Sequence, residues 1–403
     1  MKNLNIEFTT YSPLFIGSNE DIPSFGYIGD EKNKTIKIVD FDALVNSIND
    51  LGIVDKLTNE LYKNPQDFSL EKFSKDYEIK LEEFIKEEIE INDKSEFFRK
   101  KQESEKSHKS LIIKRFIRNA NGYYIPGSSI KGAFETALEY WYYSEHIKDF
   151  VDKISGQLNE ARKKLNEMYE NRANKKRLDK YLNDILNNID NNLKKGLLNH
   201  LYSKYGREKI IYKGGKPDKP EPFSFLGFTD SLSFGSDKMS VFIIKRKSVY
   251  GYRNERGIPV CSEGVKEGVN FTVTMTFDET VFGENDLFEA VRKFSTDIIE
   301  DDSRIQILTP FYNKFKQKLN GNNNLLPLNL GFGGSLKTKT LYLLLKSAYS
   351  KDKLRDFENE LRRIYKIQNS NNDLFGSSFP STRNVIEELD GTFAVPGWVI
   401  FEI

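Results

Sequence analysis

Residues Tyr123 to Leu138 read YYIPGSSIKGAFETAL, and the fold is read outward from this stretch. An extended run stops at Pro126 and Gly127, because proline fixes φ and glycine accepts values other residues avoid. Ser128 or Ser129 suits the N-cap, where a hydroxyl accepts from first-turn N–H groups. Ala133, Phe134, Ala137, Leu138 and Trp141 then recur at helical spacing, so the helix buries one face. Lys131 and the unpaired N–H groups of the first turn make this helix start hospitable to a phosphate. An ordinary capped helix explains the same residues.

A second glycine-rich element lies at Leu330 to Thr340, LGFGGSLKTKT. Gly331, Gly333 and Gly334 permit close approach of the backbone to a ligand, and Lys337 and Lys339 add positive charge. A phosphate-binding loop of the G-x-x-x-x-G-K-[ST] kind needs a glycine where Leu336 stands, so nucleotide hydrolysis is not expected here. The bland reading is a flexible surface loop.

These segments resemble those of the RAMP proteins of CRISPR systems. That superfamily carries an IPGSSIKG-type segment opening a helix, a late G-x-G-G loop, and an early S-P-x-x-I-G turn. The turn is matched here by Ser12, Pro13, Ile16, Gly17 and Ser18. Phe379-Pro380-Ser381-Thr382-Arg383, followed by Val395-Pro396-Gly397-Trp398, resembles the end of the fifth Csm-type subunit family of type III-A (Csm) effector complexes. The late loop departs from the pattern, continuing Ser335-Leu336-Lys337 without a closing glycine.

The resemblance implies a non-catalytic RNA-binding subunit in antiviral defence. It would cap the filament at the 3′ part of the crRNA and assist crRNA maturation. The implied partners are crRNA, the repeated backbone RAMP subunit and the small helical subunit, with host nucleases as a further candidate. Two other readings stay open: an endoribonuclease that processes precursor crRNA, and a pure protein scaffold.

Composition is compatible with this. The chain has 403 residues, enough for two cores, with 30 Phe and 20 Tyr to fill them. The longest apolar runs fall well short of the roughly 20 residues of a membrane span. The start, MKNLNIEFTTYSP, reads as an amphipathic strand and not as a signal peptide. One cysteine, Cys261, leaves no internal disulfide and no cysteine-based zinc site. A cytoplasmic location is expected. Net charge is +1, so any nucleic acid must be held by local patches.

Leu4, Ile6 and Phe8 alternate as a first strand. Thr35 to Val39 is a second, and Asp40 caps a helix through Phe41, Leu44, Val45 and Ile48. Residues 55–98 read as an acidic helical region with Leu81, Phe84, Ile85 and Ile89 on one stripe. Arg99 to Arg118 holds eight Lys or Arg against two Glu. Residues 145–205 read as helical, with Leu178, Leu182, Ile185 and Ile189 on a buried face. Gly214 to Pro220 marks a boundary. Beyond it, Val241–Ile244, Phe271–Phe277 and Trp398–Ile403 read as strands. Leu287, Val291, Phe294 and Ile298 mark a helix, and Ser350 to Ile367 another.

Strands and helices alternate in both halves, so the expected class is α+β. The resemblance implies two ferredoxin-like (RRM-like) RAMP domains, 1–220 and 221–403. The helical blocks near 55–98 and 145–205 would be insertions in the first domain.

Three histidines, His108, His146 and His200, are too scattered in sequence for a metal site. No metal and no cofactor are expected. The acidic runs Glu87-Glu88 and Glu300-Asp301-Asp302 read as solvated helix ends. Lys245-Arg246-Lys247 followed by Tyr250, Tyr252, Arg253 and Arg256 reads better as an RNA contact. Cations neutralise phosphates there, and aromatic faces stack on splayed bases. Arg162 to Lys180, with eight basic residues to three acidic, reads as a solvated helix face. The candidate RNA-binding residues are therefore Gly17, Ser18, Ser128, Ser129, Lys131, Lys245, Arg246, Arg253, Arg256, Gly333, Gly334 and Lys337. No catalytic residue is assigned.

Overall fold

The computed structural model describes residues 1–50, 52–63, 68–106, 111–170, 191–197, 200, 223–249, 259–348, 382–388 and 390–403. The alternation of Leu4, Ile6 and Phe8 makes β1 (Lys2–Thr10). It pairs antiparallel with β12 (Asn270–Phe277) and with β16 (Trp398–Glu402). The first and last strands of the chain are thus neighbours. β13 (Leu325–Asn329) and β9 (Leu226–Phe228) complete a five-stranded antiparallel sheet in the order β13-β16-β1-β12-β9.

One face of this sheet is apolar. Phe8 stacks on Phe271 at 5.3 Å and meets Phe401 at 4.8 Å. The helices Gly127–Glu145 and Glu284–Asp302 cover that face through Phe134 and Phe288, and Tyr140 meets Phe294 between them. The other face is polar: Thr274 bonds Asn5 and Thr276 bonds Asn3, each at 2.8 Å. Such one-sided cover is what period-two alternation in an antiparallel sheet produces.

The second sheet runs β2 (Gly17–Ile22), β6 (Ile113–Phe116), β11 (Val260–Val265), β10 (Met239–Ser248), β5 (Ile85–Ile91), β4 (Thr35–Val39) and β3 (Tyr27–Asp30). β14 (Thr382–Glu387) extends the β10 pairing, and β15 (Phe393–Ala394) pairs with β14. The pairs β10–β5 and β11–β6 are parallel. β7 (Arg118–Asn119) and β8 (Gly122–Tyr123) form a short separate hairpin. Strand pairing crosses residue 220 in both sheets. The Phe41–Asp50 helix opens with the Ala43 N–H bonded to Asp40, as its sequence predicts. It buries Leu44 and Ile48 in a satellite core with Leu57, Phe73 and Leu81.

Two local expectations are corrected. Ile85 to Ile91 is a strand and not helix. Its sequence IKEEIEI alternates, Ile89 and Ile91 face inward, and β4 and β10 supply partners on both edges. The strand expected over Val241–Ile244 does not end at Ile244, because β10 continues through Lys245–Lys247 to Ser248 against β14. The Ser350–Ile367 helix, the Gly214–Pro220 boundary and the 178–189 stripe lie outside the described residues.

β11 carries a buried acid. Glu263 accepts the Phe116 N–H at 2.9 Å through one carboxylate oxygen, while its other oxygen and the Arg115 Nε have no hydrogen-bond partner among the described residues. Burial pushes the Glu263 carboxyl up to about 7, against the pull of the Phe116 N–H and Arg115. A raised carboxyl holds its proton in the folded chain after the unfolded chain has lost it. Stability therefore falls as pH rises from the usual glutamate range to about 7, and the loss is complete above it. Thermal melts from pH 5 to 8 should show a steeper decline for the native chain than for Glu263→Gln. Parallel curves would contradict this.

Candidate nucleic-acid interface

Three of the sequence motifs meet at one junction. Ser12 Oγ accepts the Trp398 N–H at 3.0 Å, and the Trp398 carbonyl accepts from Tyr11 and Ser12. The Gly397 N–H donates to Pro13 O at 2.9 Å and the Leu330 N–H to Gly397 O at 2.8 Å. Phe332 donates to Phe15 O at 2.6 Å. Asn329 Nδ2 donates to Pro396 O at 2.9 Å. Trp398 and Asn329 are buried at the centre.

The glycines are needed for this contact. A Cβ on Gly331 would lie 2.0 Å from Phe15 O, and one on Gly397 2.4 Å from Leu330 O. Both residues have positive φ, +66° and +90°. Gly333, at φ +105°, would meet Pro396, and Gly334 would meet Asn329 and Thr338. The close approach read in the sequence is made to the chain's own backbone and side chains. Gly333 and Gly334 are therefore structural here, and valine at both would strain the junction itself. The loop displays Phe332, 53% exposed, between two positive-φ glycines. Gly17 opens β2 two residues after Phe15, and a Cβ there would meet nothing within 4 Å. Ser18 Oγ caps the turn to Glu20 N–H at 3.2 Å.

The Tyr123–Leu138 stretch is anchored elsewhere. Tyr123 exchanges backbone bonds with Phe234, and Ile125 N–H bonds Ser231 Oγ at 2.9 Å. The helix begins at Gly127, and neither Ser128 nor Ser129 caps it. The cap comes from Asp230, whose Oδ1 accepts the Gly127 N–H at 2.8 Å. The reason is steric. Gly127 packs so tightly on the 228–229 backbone that a Cβ would lie 2.2 Å from Phe228 O. A carboxylate already positioned on that segment thus reaches the first donor. Ser128 is left exposed and Ser129 partly so. Lys131 is partly exposed and has Glu135 at 3.8 Å as an ion partner.

The basic candidates divide. Lys337 is 1% exposed, bonded to Asp301 and, at 2.6 Å, to Asp302. Arg383 of the late motif is 2% exposed and also grips Asp302, at 2.9 Å, and Lys346 holds Asp301. Burial would raise the Asp301 carboxyl, but Lys337 and Lys346 outweigh it and hold it below the usual range. The Asp301-Asp302 run is therefore the centre of a buried ionic cluster and not a solvated helix end. Lys337 has no charge to offer a phosphate.

Lys245 is likewise turned inward, to Glu387 at 2.7 Å and Glu96 at 3.7 Å. Arg246 is exposed on β10. Arg253 and Arg256 lie outside the described residues, as do Tyr250, Tyr252 and His108. His146 and His200 are 54 positions apart in sequence, yet their rings meet at 5.1 Å over Tyr142. Among the described residues no group of three or more His, Cys, Asp or Glu is disposed to hold a metal ion. No helix among them is long and apolar enough to cross a membrane.

Residues 7–388 match the RAMP superfamily. The chain belongs to that superfamily. It is 23% identical to the protein described as CRISPR system Cms protein Csm5 of Methanocaldococcus jannaschii, over 98% of this chain and 88% of the relative. Its fold is similar to a chain in the cryo-EM structure of a Csm-crRNA-target RNA ternary complex of a type III-A CRISPR-Cas system. The TM-score there is 0.63, with 20% identity over 99% of this RAMP chain and 100% of that one. It is also similar to the crystal structure of T. onnurineus Csm5, with TM-score 0.57 and 20% identity over 98% and 99% of the two chains.

The geometry separates structural from ligand-facing residues in stability measurements. Asp302→Asn removes the buried carboxylate that Lys337 and Arg383 share, leaving Lys337 with Asp301, and should cost about 3–5 kcal/mol in urea unfolding. Asp230→Ala should cost about 1 kcal/mol through the lost cap. Ser128→Ala should stay within about 0.5 kcal/mol. Equal losses at Asp230 and Ser128 would contradict the observed cap.

Proposed function

We propose that this chain is an RNA-binding, non-catalytic subunit of a type III-A CRISPR effector complex. It would sit at the end of the filament that holds the 3′ part of the crRNA and assist crRNA maturation. Its neighbours would be the repeated backbone RAMP subunit and the small helical subunit. The observation that carries this reading is the end-to-end likeness to Csm5, 98% of this chain against 88% of that one. The five-stranded antiparallel sheet with helices on one face is further read as a ferredoxin-like (RRM-like) layer.

RNA contact is assigned to the surface left after the internal cations are set aside. Phe332 offers an aromatic face on a braced loop. Gly17 is exposed and Ser18 partly so, close in sequence to Phe15. Ser128, Ser129, Lys131 and Arg246 supply hydroxyls and two accessible charges. This is a small set of cations, in keeping with a net charge of +1. Modest intrinsic affinity, strengthened within an assembly, is the expected behaviour.

The reading is tested on the purified chain with single-stranded RNA. Log affinity should fall with log salt by roughly 0.7 per phosphate neutralised. Lys131→Ala should lower that slope with little effect on unfolding. Phe332→Ala should weaken binding by about 5- to 100-fold, the range of one lost base stack. RNA affinity indifferent to salt and to both substitutions would overturn the proposal.

The contact of His146 with His200 favours a second reading, an endoribonuclease acting on precursor crRNA. Repeat-containing RNA cut at a defined position by the native chain, and left intact by His146→Ala, would establish it.

A further inference from the structure

Tyr11, Phe311 and Phe393 wall a cavity of about 340 Å³ whose mouth carries Glu267, Glu388, Asp390 and Lys314. A second cavity of about 230 Å³ adjoins it and shares Glu267 and Glu388, adding Glu90 and Lys266. The two form one groove assembled from the end of β1, the β11–β12 turn, the Thr309–Asn320 helix and the β14–β15 hairpin.

The cations of the groove are already engaged. Lys266 pairs with Glu90 at 2.7 Å, and Lys314 lies 3.9 Å from Asp390. Among the described residues, neither Glu267 nor Glu388 has an ion partner. Both line the two cavities together. Burial raises the Glu388 carboxyl, and the Glu267 and Asp390 charges add to the rise. Burial raises Glu267 as well, against a weaker pull from Lys314.

This combination selects among ligands. Phosphates are repelled, so the groove is not a continuation of an RNA path. A metal ion lacks a converging set of three ligands among the described residues. Aromatic rings beside two carboxylates that have no ion partner among the described residues suit a planar cation, and Phe393 already holds the Lys247 ammonium over its ring at 5.3 Å. A guanidinium stacks on the rings while its N–H groups fork onto the carboxylates, which an ammonium does less well. We infer that this groove is a docking site for an arginine-bearing segment of a partner protein, with Glu267 and Glu388 as the receiving carboxylates. The inference concerns a protein contact and does not depend on the RNA reading.

The probe is a fluorescein-labelled peptide of alternating arginine and glycine, titrated against the full chain by anisotropy at fixed salt. Glu267→Gln with Glu388→Gln should weaken peptide binding at least tenfold. Affinity for single-stranded oligouridylate should stay the same. Glu7→Gln with Glu31→Gln removes the same charge from exposed positions outside the groove and should leave peptide binding within twofold of native. Equal losses in the two double variants would show a diffuse charge effect and overturn the site. So would unchanged peptide affinity in the groove variant, or oligouridylate binding that falls along with it. Melting temperatures of the native chain and both variants establish that each is folded during the titration.

Discussion

The contact on which the rest depends is the approach of three chain segments to within glycine distance around Trp398. Phe15 O, Leu330 O and the Trp398 carbonyl each face a backbone that carries no Cβ or donates an N–H. Any side chain at Gly331 or Gly397 would collide with a carbonyl held in the junction, since Phe15 O accepts the Phe332 N–H and Leu330 is bonded through its N–H to Gly397 O. The junction fixes where β1 and β16 enter the five-stranded sheet. It also fixes the late glycine-rich loop, and with it Phe332. What looked in the sequence like freedom to approach a ligand is rigidity. The loop is held by its own chain, and only its tip is displayed.

A second constraint is ionic. Asp302 gathers Lys337 and Arg383 at 1% exposure, joining the end of the Glu284–Asp302 helix to the late loop and to β14. Buried charges of this kind contribute little net stability, but removing one partner is costly. They therefore fix arrangement more than they add strength. The consequence for function is subtractive. Two of the lysines that made the sequence look basic, Lys245 and Lys337, neutralise carboxylates inside the protein. The accessible positive charge is sparser than the sequence suggests, and an acidic groove lies elsewhere on the same chain. The surface is divided into places a phosphate can approach and places it cannot.

Much of the fold was legible where one element carries its own pattern. β1 and β12 alternate, the Phe41–Asp50 helix has its Asp40 cap, and Leu287, Val291, Phe294 and Ile298 give the 284–302 helix its buried stripe. β5 is not legible locally because Ile85 and Ile89 also fit a helical spacing, and only the pairing with β4 and β10 decides. The extension of β10 through Lys245 depends on β14, some 140 residues later. Long-range partners explain the other misses. Asp230 caps a helix 103 positions upstream, and Arg383 reaches Asp302 across 81 positions. Local propensity records none of these, since serine is as good a cap on paper as a remote aspartate. Of the candidate residues, Gly17, Ser128 and Arg246 are exposed and Lys131 is partly exposed. Phe332 has no signature of its own in the sequence beyond the glycines that flank it.

The central claim is that RNA meets the displayed residues around Phe332, Lys131 and Arg246 and avoids the acidic groove. Ultraviolet crosslinking of single-stranded RNA to the full chain, with the linked peptides identified by mass spectrometry, tests it most directly. The account requires adducts on peptides containing Phe332 or Lys131, and none on those containing Tyr11, Phe311 or Phe393. Adducts confined to the groove peptides, with none at Phe332 or Lys131, would contradict it.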